Sequence, residues 1–124
     1  MEFDEKIPIY IQIIDLIKKE IVKGKIKRGD KLPSVRDLAE ELKVNPNTVQ
    51  KAYQELEREG IIYTLRGTGS FVVEDENKIL GLREAMAKEI LERFVKEMKD
   101  LNFSKEEMFK LLTSFLEEEK NGNS

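Results

Sequence analysis

The chain has 124 residues and a net charge of −3, with neither Cys nor His. That length suits one ordinary domain, or a small domain with a short appendage, and leaves no room for a large enzyme fold. Without Cys there are no disulfides and no thiolate chemistry, and without His the usual general base and commonest metal ligand are gone, so no enzyme, no cofactor and no bound metal are expected.

No run of about 18 uncharged apolar residues occurs, and the N-terminus is acidic at Glu2, Asp4 and Glu5 where a signal peptide would be basic. The expectation is a cytoplasmic protein without membrane contact. The charge is segregated: residues 18–73 carry 12 Lys and Arg against 8 Asp and Glu, whereas residues 74–124 carry 9 against 13. A modestly basic middle between acidic ends is compatible with a nucleic-acid partner but does not establish one.

The first helix is expected from Pro8 to Lys23, where Ile9, Ile13, Ile14, Ile17 and Ile21 recur at helical spacing, Pro8 suits the first turn and Gly24 the C-terminal cap. Lys25 to Pro33 reads as a turn. Ser34 caps a short second helix through Leu42, with Val35, Leu38, Ala39 and Leu42 inward and Asp37 placed to complete a capping box. After Lys43-Val44, Asn45 caps a third helix, Pro46 takes its first position and Gly60 stops it. Val49, Ala52, Tyr53 and Leu56 face inward, and Asn47, Thr48, Gln50, Lys51 and Gln54 face outward.

From Ile61 the period changes. Residues 61–65 and 70–73 are β-branched and aromatic around Arg66-Gly67-Thr68-Gly69, which predicts a two-stranded hairpin packed on the helices. The fold class is therefore mainly α with a small β-hairpin wing: a winged helix-turn-helix over residues 1–74, a charged linker at 75–78, a two-helix segment over 79–119 and a frayed tail at 120–124. The last two helices are expected at about 79–101 and 105–119, the second opened by a capping box of Ser104 and Glu107.

A helix, a tight turn and a second helix with small polar residues at its exposed N-terminal end is the pattern that enters a major groove. Asn45, Asn47, Thr48 and Gln50 have the donor and acceptor chemistry to read base edges, and the uncovered N–H groups of a helix start attract phosphate. Asn45 has a capping role whether or not its side chain meets a base. Arg66 brings charge to the wing, while Gly67 and Gly69 permit a tight turn.

The runs Pro8-Ile9-Tyr10, Leu32-Pro33-Ser34-Val35-Arg36-Asp37-Leu38-Ala39, Val44-Asn45-Pro46-Asn47-Thr48-Val49, Ala52-Tyr53 and Arg66-Gly67-Thr68-Gly69-Ser70-Phe71-Val72 resemble, in order and spacing, the winged helix of the GntR family of bacterial regulators. The Asn-Pro-Asn-Thr form and the short helical C-terminus are similar to its YtrA-like subfamily. The resemblance implies a repressor that binds double-stranded operator DNA as a homodimer. It also implies DNA contacts by Ser34, Arg36, Asn45, Asn47, Thr48, Gln50, Lys51, Arg66, Gly67 and Thr68, with Arg36 meeting a phosphate or a guanine edge. Other branches carry Arg where this chain has Pro46 and Gln50, so their base code does not transfer. Lys18, Lys19, Lys25, Lys27, Arg28 and Lys31 serve either phosphate attraction or an ordinary solvated surface.

In the last two helices Leu80, Leu91, Phe94, Met98, Leu101, Met108, Leu111, Leu112, Phe115 and Leu116 offer more apolar surface than two helices bury against each other, which predicts a dimer interface. Packing of this surface onto the winged helix is the alternative. Two helices are also too few to enclose a pocket of roughly 300 Å³, so a small-molecule effector, if one exists, is expected at the dimer interface or beside the winged helix. A protein- or RNA-binding winged helix is the second functional reading. The polar outer face of the third helix favours DNA, because protein-binding faces more often expose aromatic or Met anchors.

Overall fold

The computed structural model describes residues 2–122. Its elements are α1 (Ile9–Val22), α2 (Val35–Leu42), α3 (Pro46–Arg58), β1 (Ile62–Leu65), β2 (Gly69–Val72), α4 (Glu76–Asp100) and α5 (Lys105–Gly122). Residues up to Glu84 form one compact unit, and those from Ala85 form a second.

In the first unit the helix ends are set locally. The Ser34 Oγ accepts from the Asp37 N–H at 3.0 Å and the Asn45 Oδ1 accepts from the Asn47 N–H at 2.8 Å, so each cap satisfies one of the donors that a helix start leaves open. Among the described residues only one of the two bonds of the Ser34 capping box forms. Asp37 is one methylene shorter than the Glu that normally reaches back. Lys43 ends α2 in the left-handed conformation (φ 58°), which turns the chain into α3 within three residues.

The inward faces of α1, α2 and α3 meet the hairpin in one core. Ile13, Val49, Ala52, Leu56 and Val72 have no exposed surface, and Ile17, Ile21, Ala39, Ile61 and Ile62 are nearly as deep. Fully burying an aliphatic side chain of this size contributes about 1.5–3 kcal/mol, so α1 and α3, which share most of these residues, hold the unit together. Ile9, grouped with the inward positions of α1 by its spacing, is 40% exposed because it stands in the first turn, beyond the edge of that core.

Lys25 to Pro33 is more than a turn. Lys31 bridges Phe71 in antiparallel fashion, Gly29 N–H donates to Val72 O at 2.9 Å, and Leu32 N–H donates to Ser70 O at 2.8 Å. The segment is thereby a short third edge on the β1–β2 hairpin, whose register pairs Ile62 with Val72 and Thr64 with Ser70. A two-stranded ribbon gains support from such an edge.

The expected linker at 75–78 is instead the start of a helix. Asp75 Oδ1 accepts from the Asn77 N–H at 2.9 Å, and Glu76 to Lys78 make the first turn of α4. Acidic residues, which look like a solvated linker by composition, are favoured at the positive end of a helix. α4 therefore begins within the first compact unit, where Leu82 is buried and Ile79 half-buried.

In the second unit, α5 opens with a complete capping box: Glu107 N–H donates to Ser104 Oγ at 3.1 Å and Ser104 N–H donates to Glu107 Oε1 at 2.9 Å. These bonds hold the Glu107 carboxyl below its ordinary pKa. The helix continues through Gly122, so residues 120–122, expected in the frayed tail, are helical; residues 123 and 124 lie outside those described. None of the described residues after Leu82 is buried.

Candidate nucleic-acid interface

The caps that start α2 and α3 also expose the residues expected to contact DNA. Ser34, Arg36, Asn45, Asn47, Gln50 and Lys51 are exposed and Thr48 is half-buried, while Val49, Ala52, Tyr53 and Leu56 anchor the opposite face of α3 in the core. The polar face of α3 is thus turned to solvent by a helix whose opposite face is packed in the core.

Tyr53 fixes α3 against the entry to α2. Its ring is buried, and its hydroxyl donates to the Pro33 carbonyl at 2.7 Å. Burial pushes the Tyr53 phenol up to about 12, with the Glu41 carboxylate adding in the same direction, so it stays a neutral donor over the physiological range.

The wing is built on the same helix. Glu57 of α3 accepts from the Thr64 hydroxyl at 3.0 Å, and Thr64 shares a second hydrogen bond with its cross-strand partner Ser70 at 2.9 Å. This chain of polar groups joins α3 to both strands of the hairpin. On the hairpin's other face Tyr63 and Phe71 stack with ring centroids 5.6 Å apart. The turn between the strands closes with Thr68 N–H donating to Leu65 O at 2.9 Å and needs φ +78° at Gly67, a conformation glycine adopts without steric cost. Arg66, Gly67 and Thr68 are all exposed there.

A cleft of about 330 Å³ separates α3 from the wing. Ser34, Gln50 and Thr68 line it with Tyr53, Gln54 and Thr64, which brings three of the expected contact residues together. Arg36, Asn45, Asn47, Thr48, Arg66 and Gly67 lie outside it. Lys51 is placed separately: its Nζ sits 4.0 Å from the centroid of the Tyr10 ring on α1. Such a cation–π contact is worth about 0.5–1 kcal/mol at an exposed site and holds the ammonium beside the helix face.

Sequence reasoning missed the roles of Tyr10, Glu57, Thr64 and Ser70. The last two left a signal, as polar residues at equivalent places on the two strands of a hairpin, but the Thr64 bond to Glu57 depends on how the wing folds back on α3.

The arrangement of helix, tight turn, exposed polar helix and hairpin wing is that of a DNA-binding winged helix-turn-helix. The family described as "Bacterial regulatory proteins, gntR family" matches residues 9–72, and the chain belongs to that family. It is 52% identical over 89 residues to the HTH-type transcriptional repressor YtrA of Bacillus subtilis (strain 168), covering 71% of this chain and 68% of the relative. A GntR family transcriptional regulator from Listeria monocytogenes is similar in structure at a TM-score of 0.85 and 47% identity, over 90% of this chain and 98% of that one. The structure of AraR(DBD) in complex with operator ORR3 matches at a TM-score of 0.53 and 33% identity, over 59% of this chain and 86% of that one. The chain is a transcription regulator with a DNA-binding domain, not an enzyme.

Proposed function

We propose that the chain is a cytoplasmic repressor that binds a near-palindromic operator as a homodimer and occludes the promoter. The observation that carries the dimer is the bare surface of the C-terminal helices. Leu91 is 57% exposed, Leu101 68%, Phe109 67% and Phe115 60%, and Leu111, Leu112 and Leu116 are exposed as well. Contiguous apolar surface of this kind is a liability in a lone chain. Within the second unit it forms an open groove of about 420 Å³ lined by Leu91, Phe94, Val95, Met108, Phe109 and Leu112, with Lys99 and Lys105 at its edge. A second copy is the occupant assigned to it, because the acidic end of α5 at Glu117 to Glu119 complements those lysines. Leu80, exposed on α4 in the first unit, belongs to the same interface, as do Met98 and Leu101.

On DNA, the N-terminal end of α3 enters the major groove with Asn47, Thr48 and Gln50 at base edges. Ser34, Arg36, Asn45 and Lys51 lie along phosphates, and Arg66, Gly67 and Thr68 meet the flanking backbone or minor groove. The free guanidinium of Arg66 supports this, since it makes no ion pair among the described residues. Repression is supported by the similarity to a named repressor, and operator binding by the likeness to a domain solved with its operator. The cytoplasmic location follows from the partner, since a promoter-binding protein shares its compartment with the chromosome.

Selection of bound duplexes from a random-sequence library with the full chain tests the proposal. Enrichment of an inverted repeat with half-sites about one helical turn apart is expected. Enrichment of a single unsymmetrical site, or none, contradicts it.

A further inference from the structure

Six of the 13 Lys and Arg side chains in residues 1–74 are held by partners within the chain. Lys18 pairs with Glu59 at 2.9 Å, Lys19 with Asp15 at 3.0 Å and Lys25 with Glu20 at 3.7 Å, and Arg58 pairs with Glu55. Arg28 donates to the Glu74 carbonyl at 3.2 Å, and Lys51 is held by Tyr10. Lys31 has no ion pair among the described residues, and it borders the cleft between α3 and the wing.

Its position is set by backbone and by a missing side chain. The bridge from Lys31 to Phe71 and the bond from Leu32 N–H to Ser70 O fix its Cα against β2. From there the stem runs over Gly69, beside the wing turn. A Cβ on Gly69 would stand 2.7 Å from Lys31 Cε and 3.5 Å from its Nζ, so the glycine leaves the slot that the stem fills. Lys31 is exposed, so a stem seated in that slot leaves the ammonium in solvent.

We infer that Lys31 is a phosphate-binding residue of the interface, held beside the wing turn by the slot at Gly69 and acting next to Arg66. The inference rests on the DNA-binding reading of this surface and adds a contact from the segment before α2. A phosphate partner is favoured over a base because the ammonium is a point charge on a long stem without the planar fork that reads guanine.

Binding to mixed-sequence duplex DNA over a range of salt, with wild type, Lys31→Met, Lys31→Arg and Lys88→Met, tests it. Lys31→Met keeps the stem and removes the charge. The slope of log affinity against log salt should fall in magnitude by about 0.9, one phosphate contact, and Lys31→Arg should restore it. Lys88, on the C-terminal unit, controls for net charge, and Lys88→Met should leave the slope as in wild type. An unchanged slope in Lys31→Met, or an equal fall in Lys88→Met, overturns the role of Lys31 while leaving the DNA-binding reading intact. Absence of salt-dependent binding by the wild type overturns both.

Discussion

The Tyr53 hydroxyl donates to the Pro33 carbonyl at 2.7 Å, tying the middle of α3 to the residue that leads into the Ser34 cap. Tyr53→Phe removes that part-buried bond, so the expected loss is about 0.5–1.5 kcal/mol by urea denaturation at neutral pH. The bond also has a pH signature. With the folded-state pKa raised to about 12 against an ordinary 10, the contribution is complete below pH 10 and is lost as pH rises through about 12. Wild type should therefore lose more stability than Tyr53→Phe between pH 10 and 12, and parallel curves for the two would show that the phenol is not held as described.

Lys51 and Tyr10 should behave as a pair. Tyr10→Phe keeps the ring under the ammonium and should bind DNA like wild type, whereas Tyr10→Leu should weaken binding by several-fold, because about 0.5–1 kcal/mol of positioning is lost. In Lys51→Met the effect of Tyr10→Leu should vanish. Additive losses in the double variant would separate the two residues.

Arg36→Ala and Arg66→Ala should weaken DNA binding without changing the denaturation midpoint, since both side chains are exposed and outside the core. Each should lower the salt slope by about 1 if its guanidinium meets a phosphate. Full affinity in both variants at matched salt would remove the wing and α2 from the interface.

Base reading is separable from general attraction. Thr48→Ala and Gln50→Ala should each cost about 1–3 kcal/mol on the selected inverted repeat and much less on mixed-sequence DNA. Equal losses on the two duplexes would make these residues backbone contacts.

The parts of the fold legible in sequence are those written locally. Ser34, Asn45-Pro46 and Ser104 with Glu107 mark helix starts by residue type, and the core faces of α1 and α3 follow from spacing except at Ile9, which spacing places inward and the structure leaves exposed. Less was legible where contacts join distant residues. Lys31 and Phe71 are 40 positions apart, so nothing near Lys31 announces the third edge of the wing. The first turn of α4 was hidden by ambiguity, because Glu74 to Lys78 suits both a solvated linker and a helix start. At the interface, residue type identified the exposed face of α3, but the Glu57–Thr64–Ser70 chain and the Tyr10 support for Lys51 needed three-dimensional placement.

In the proposed function the C-terminal helices make a dimer on which DNA affinity depends. Sedimentation equilibrium of wild type and of the Phe94→Asp, Phe115→Asp variant, each alone and with the selected inverted repeat, tests this most directly. Wild type should sediment at twice the 14.5 kDa chain mass and load two chains per duplex. The variant should sediment at the single-chain mass, retain the cooperative unfolding of the winged helix, and bind the repeat no more tightly than one half-site, since the high effective concentration of the second subunit is gone. A wild-type monomer, or a monomeric variant that binds the repeat as tightly as wild type, would contradict it.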